Sequence, residues 1–147
     1  ISLMFIPNRK QLAYAECKHN KWLVVVDGQP GPEYDGIGDG SPVFSPDGKR
    51  LAYAAGNGGK WLVVVDGQPG PEYNGIGDGS PVFSPDGKRL AYAAGEGGKW
   101  AVVADGQPGP ECDAIQCGPV FRLDGRVEYL ALRREAGDLI LYRVSLP

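Results

Sequence analysis

The chain has 147 residues, 42% of them hydrophobic, with 15 basic against 18 acidic side chains and a net charge of −3. That size suits one core-bearing domain and the composition argues against disorder. No run of Lys or Arg is available to track a phosphate backbone, and no apolar run approaches the roughly 20 residues of a membrane-spanning helix, so neither nucleic acid nor a bilayer is an expected partner. The first residues also lack the basic-then-apolar layout of a signal peptide.

Along the chain, Leu12-Ala13-Tyr14-Ala15 recurs as Leu51-Ala52-Tyr53-Ala54 and as Leu90-Ala91-Tyr92-Ala93, each copy 39 residues after the last. Trp22, Trp61 and Trp100 keep the same step, as do Phe5, Phe44 and Phe83. Within the unit from Ser41 to Gly79, Pro42-Val43-Phe44-Ser45 is a short β-favouring run closed by a Pro46-Asp47-Gly48 turn. Arg50 to Ala55 forms the second strand, Gly56-Asn57-Gly58-Gly59 the next turn, and Trp61-Leu62-Val63-Val64-Val65 a third strand rich in β-branched residues. Asp66-Gly67 turns the chain again, and Pro71-Glu72-Tyr73-Asn74-Gly75-Ile76 is the expected fourth strand. A last unit follows with small deletions, Val120-Phe121-Arg122-Leu123-Asp124-Gly125 matching Val82-Phe83-Ser84-Pro85-Asp86-Gly87.

Four antiparallel strands repeating at this period predict an all-β chain, a β-propeller of four-stranded blades. The third strand supports this, because Trp, Leu and three Val in a row put apolar groups on both faces, and only sheets packed face to face bury both. Ala52, Ala54 and Ala55 on the second strand let neighbouring sheets approach. The expected blades are about 1–39, 40–78, 79–116 and a truncated 117–147, in a single domain. A sandwich is the alternative architecture.

The units Ser45-Pro46-Asp47-Gly48-Lys49-Arg50-Leu51-Ala52-Tyr53 and Ser84-Pro85-Asp86-Gly87-Lys88-Arg89-Leu90-Ala91-Tyr92 resemble the signature of TolB-type, WD-repeat-like propellers. The likeness implies a blade and says little of function, since such repeats occur in binding proteins, secretion-associated proteins and the substrate-gating domains of some peptidases. It admits a periplasmic or extracellular compartment. The end units depart from the signature, with Ile6-Pro7-Asn8-Arg9-Lys10 and Arg122-Leu123-Asp124-Gly125-Arg126 in its place, as capping repeats do. About four blades leave two flanks to cover, and a C2 homodimer completing an eight-bladed ring is the economical expectation, against a four-bladed monomer, an open fibre or a fragment of a longer propeller.

The side chains able to carry chemistry read mostly as architecture. His19 falls in a loop without a counterpart in the other units, no Gly-x-Ser-x-Gly elbow occurs, and Ser45 and Ser84 belong to turns. Gly36-Ile37-Gly38-Asp39-Gly40 leads to a strand, not a helix, so its glycines connect elements and do not cradle phosphate. Asp35 and Asp39 make a poor calcium loop, because Ile37 takes a ligand place and Asn74 replaces the acid in the next copy. Cys112, Cys117 and His19 lack a zinc spacing. Cys112 and Cys117 are near enough in sequence to pair or to remain two thiols, and Cys17 reads as a turn residue. No cofactor is expected.

The remaining candidates for ligand or interface contact are Trp22, Trp61 and Trp100, each preceded by a lysine, Lys21, Lys60 or Lys99. Exposed indoles would stack on sugars; the favoured reading is that they pack between blades. Glu33, Glu72, Glu111 and Asp27, Asp66, Asp105 read as turn formers and solvated rims, arranged with the symmetry of a pore lining. The expected function is a non-catalytic scaffold or binding module for protein or ligand that also self-assembles. The alternatives are a substrate-gating propeller of a larger hydrolase and a purely structural assembly subunit.

Overall fold

The structure, a computed structural model, describes the backbone of residues 2–5 and all of residues 11–147. The segment Ile6-Pro7-Asn8-Arg9-Lys10 lies outside the described residues. Four antiparallel sheets follow one another along the chain, and no helix occurs among the described residues. The first sheet orders Ser2–Phe5, Leu12–Lys18, Lys21–Val26 and Gln29–Pro30. In the second, Gly36–Ile37 and Val43–Phe44 both pair with Leu51–Asn57, which pairs with Lys60–Val65 and then Gln68–Pro69. The third repeats that plan, and the fourth consists of Ala114–Phe121, Val127–Glu135 and Asp138–Leu146.

Sheets stack through three apolar layers, and alternate residues of one strand serve different layers, as the pleat requires. Val64 and Leu62 pack with Tyr53 and Ala55 against Val24 and Tyr34 of the first sheet. Val63, one residue away, joins Ala52 against Leu90, Tyr92, Ala94 and Val103 of the third. Ala91, Val102 and Ala104 of the third sheet then meet Val127, Tyr129 and Ala131 of the fourth. One face of each inner sheet is thus small and the other carries the Tyr, so successive sheets interdigitate. Burial on both faces is what the third-strand sequence predicts.

The turns follow from backbone chemistry. Asp27-Gly28, Asp66-Gly67 and Asp105-Gly106 each place two residues at positive φ, the pattern of a two-residue hairpin turn. Each Asp carboxylate also accepts the amide of the second strand's first residue, Leu12, Leu51 or Leu90, at 2.9, 2.9 and 3.0 Å. In the Ser-Pro-Asp-Gly-Lys turn, the buried Ser45 hydroxyl donates to Asp47 at 2.6 Å and accepts the Arg50 amide at 3.0 Å, and Ser84 does the same for Asp86 and Arg89 at 2.6 and 2.9 Å. The two signature serines therefore serve the turn, as expected.

Two elements differ from the expectation. The fourth strand is Gln68–Pro69, extended by a bridge from Trp61 to Tyr73, whereas Gly75–Ile76 leaves that sheet and pairs with Ala94 and Gly95 of the next. The run 71–76 is therefore split between two sheets, because its second half finds backbone partners there. Cys17 is not in a turn; it lies in the strand Leu12–Lys18, opposite Trp22.

The first strand of each inner sheet is broken. Gly38 donates to the Ala54 carbonyl at 2.9 Å, after which the chain leaves the ladder and the buried Ser41 hydroxyl accepts the Ala54 amide at 3.1 Å. A side chain thus replaces the missing ladder partner, and Ser80 repeats it for Ala93 at 3.1 Å. A Cβ on Gly38 would stand 2.9 Å from the Ala54 Cβ, so the close approach needs glycine.

Candidate functional site

The broken first strands bring the Gly-Ile-Gly-Asp segments beside the tryptophans. Trp61 closes a row of three residues across its own sheet, with Gly56 paired to it and Gly36 paired to Gly56. The indole covers both glycines: a Cβ on Gly56 would stand 3.1 Å from Cε2 and one on Gly36 would stand 3.4 Å from Cη2. Trp100 covers Gly95 and Gly75 in the same way, at 2.8 and 3.4 Å. An aromatic ring laid over strand glycines supplies the packing that glycine lacks. The rings are half-buried, so the indoles serve their own sheets first and border the space between sheets second.

That space is a row of three clefts. Trp22, Ile37, Gly38 and Asp39 border the first, of about 260 Å³. Trp61 and Ala54 floor the second, of about 290 Å³, between the Ile37-Gly38-Asp39 and Ile76-Gly77-Asp78 segments. The third, of about 430 Å³, lies between Trp100, Asp78 and the segment Ala114–Gly118 of the fourth sheet. Each aspartate segment is a wall shared by two clefts, so the three form one continuous feature.

The lysines before the tryptophans point elsewhere, to the junctions between sheets. Lys21 donates to Asp35 at 2.6 Å, and the other Asp35 oxygen accepts the Gly58 amide of the second sheet at 2.8 Å. Lys99 and Asp113 repeat the clasp at 2.6 Å, with the Arg134 amide at 2.6 Å on the second oxygen. At the middle junction the acid has changed sides: Asn74 replaces the aspartate and accepts the Gly97 amide at 2.9 Å, while Glu96 takes Lys60 at 3.3 Å and the Asn74 amide at 3.0 Å. The loss of the acid at Asn74, which argues against a calcium loop, is thus compensated within the same junction. Among the described residues no group of three His, Cys, Asp or Glu side chains is placed to hold a metal.

These clasps set a pH dependence. The Lys21 hydrogen bond, then the Gly58 amide, holds Asp35 below the ordinary carboxylate value of 3.8, and Lys99 followed by Arg134 does so for Asp113. A carboxylate lowered on folding contributes stability that is complete above its unfolded value and is lost as pH falls through the folded one. The thermal midpoint should therefore drop as pH falls below about 4, and Asp35→Asn should flatten that dependence. Superimposable acid melting profiles for Asp35→Asn and wild type would show that the clasp contributes nothing.

Arg50 and Arg89, which the sequence reading left unassigned, are a second set of clasps. Arg50 donates to Asp66 at 3.0 Å and to the Lys88 carbonyl of the next sheet at 3.1 Å, and lies 5.5 Å from the Phe83 ring centroid. Arg89 repeats this with Asp105 at 2.6 Å, the Gly125 carbonyl at 2.6 Å and the Phe121 ring at 5.6 Å. The period-39 register offered the signal, since both arginines precede the Leu-Ala-Tyr strand while Gln11 holds that place in the first unit.

His19 is exposed at the first position of a two-residue turn, with φ of 49°. Cys17 and Cys117 are exposed free thiols, and Cys112 is a buried one. Cys112 occupies the register of Tyr34 and Tyr73, bridging Trp100 as they bridge Trp22 and Trp61.

Four sheets of this plan, stacked face to face, define a β-propeller arc. No family model matches the sequence, and no curated protein matches it. Among solved structures, the open-velcro β-propeller domain of the trilobed protease from Pyrococcus furiosus is similar with a TM-score of 0.54 and 14% identity, over 90% of this chain and 50% of that one. A crystal structure of the eukaryotic initiation factor gives a TM-score of 0.54 and 14% identity, over 100% of this chain and 41% of that one. The chain spans half the length of these structures or less, and the likeness at this identity is one of fold.

Proposed function

We propose that the chain is a non-catalytic binding and scaffold module built from TolB-type, WD-repeat-like blades, with recognition in the row of clefts between its sheets. The observation that carries this reading is the repetition: three clefts, each bordered by a half-buried indole and joined by shared aspartate walls. Concave sites with a few convergent polar groups are the ordinary form of a binding site. The hydroxyls of Ser41, Ser45, Ser80 and Ser84, all buried, are spent on backbone amides and turn carboxylates, which suits a scaffold better than a nucleophile.

Self-association belongs to the same proposal. Val120, Leu139 and Leu141 are 52%, 61% and 55% exposed on the fourth sheet. They alternate with residues packed on the third sheet, so they occupy the face by which the first three sheets receive the next one, and a second copy is the proposed cover. A gating propeller of a larger hydrolase is the second reading, favoured by the likeness to a domain of a protease.

The test follows indole emission while the protein is titrated with basic, acidic and neutral peptides and with oligosaccharides, beside turnover of ester, peptide and glycoside substrates and the solution mass. A saturable response to at least one class, without turnover, is the expected result. Silence toward every class, or robust hydrolysis, would refute the binding reading. A mass of two chains is expected, and a mass of one would remove the self-association part.

A further inference from the structure

The polar groups around the clefts are unequal in a way that selects a ligand. The Gly38 and Gly77 amides serve the Ala54 and Ala93 carbonyls, and the buried Ser41 and Ser80 hydroxyl oxygens accept the Ala54 and Ala93 amides. The carboxylates of the clefts are uncommitted. Asp39 and Asp78 are exposed and take part in no ion pair or hydrogen bond among the described residues. No Lys or Arg lines any of the three clefts. The nearest lysines in sequence, Lys21, Lys60 and Lys99, are committed to Asp35, Glu96 and Asp113.

Uncommitted carboxylates beside half-buried indoles, with no basic side chain among the lining residues, attract a cation. Guanidinium suits this setting better than ammonium, since its flat, weakly hydrated group stacks on an aromatic ring while its edge donates to a carboxylate. The shared walls place such subsites in series, as a chain with several basic side chains requires.

Resting on the binding reading above, we propose that the clefts take the arginine side chains of a basic segment of a partner polypeptide. Asp39 serves the first two clefts and Asp78 the last two, so the middle cleft, with both, is the strongest subsite.

The test titrates a hexa-arginine peptide at about 0.15 M salt, with calorimetry and indole emission as readouts. Binding should be saturable and should weaken by about tenfold or more in Asp39→Asn/Asp78→Asn. The double variant Glu33→Gln/Glu72→Gln removes two charges from exposed residues that line none of the clefts, and should cost less than about twofold. Both variants should melt with the wild type in far-UV circular dichroism, since all four side chains are exposed. Equal weakening by the two variants would mean unspecific attraction and overturn the proposal, as would spermine binding as tightly as the peptide. A failure of hexa-arginine beside a saturable response to another probe class removes this inference and leaves the binding reading standing, whereas silence toward every class removes both.

Discussion

Gly95→Ala is expected to unseat Trp100 and to destabilise the third sheet by about 1–2 kcal/mol. The added Cβ would stand 2.8, 2.9 and 3.1 Å from Cε2, Cζ2 and Cδ2 of the indole, too close for the first two and tight for the third. The Cη2 edge of the ring lies over Gly75, 3.4 Å from where a Cβ there would stand. Rotation would carry it into the cleft that it borders. Alanine stiffens the unfolded chain and favours a strand, a gain of roughly 0.5–1 kcal/mol, so the net loss is smaller than the overpacking term alone. Gly56→Ala should cost less, since its nearest ring atoms stand at 3.1 Å. Urea unfolding gives the stability change, and a red shift of indole emission reports the exposed ring. Unchanged emission with raised stability would mean that the ring shifts freely.

Three buried tyrosines in one register should respond to loss of their hydroxyls in opposite directions. Tyr53 and Tyr92 meet Tyr34 and Tyr73 edge to face, with centroids 6.2 and 6.1 Å apart, and their hydroxyls are hydrogen-bonded to those partners. Burial first, and the neighbouring tyrosine with it, raises both phenols well above their ordinary value. At the next junction Cys112 stands where the partner tyrosine would be, and the Tyr129 hydroxyl is buried with no hydrogen-bond partner among the described residues. Burial, with Cys112 and Tyr142 adding to it, pushes that phenol up to about 12. An unpaired buried hydroxyl carries a desolvation cost that a paired one recovers. Tyr92→Phe and Tyr53→Phe should each lose about 1 kcal/mol, whereas Tyr129→Phe should gain about 1 kcal/mol. Chemical denaturation of the three variants decides it, and equal losses at all three positions would mean that Tyr129 has a partner in solution.

The fold class was legible because its signals are local and repeated. A third strand with no polar residue among Trp61-Leu62-Val63-Val64-Val65 can be buried only between two sheets, and the structure sends Val63 and Val64 to different layers. The Asp-Gly and Ser-Pro-Asp-Gly turns were equally legible, since positive φ and short side-chain bonds depend on a few neighbouring residues. Gly75–Ile76 was not, because its partners Gly95 and Ala94 lie 20 and 18 residues onward, in another sheet. The site was seen in part. The tryptophans stood out by their repetition, but Asp39 read only as part of a poor calcium loop, Asp78 was not singled out, and the lysines proved to be clasps between sheets.

The order of residues by itself determined that short strands recur every 39 residues, that both faces of the third strand seek cover and where the hairpins turn. These follow from side-chain alternation and backbone sterics over a handful of residues. Only the stacked structure decided which acid pairs with which lysine, why Tyr129 lacks a partner and which aspartates face a cleft. Each of those depends on groups contributed by different sheets, and the distance between two such groups is set by packing, which no local pattern encodes.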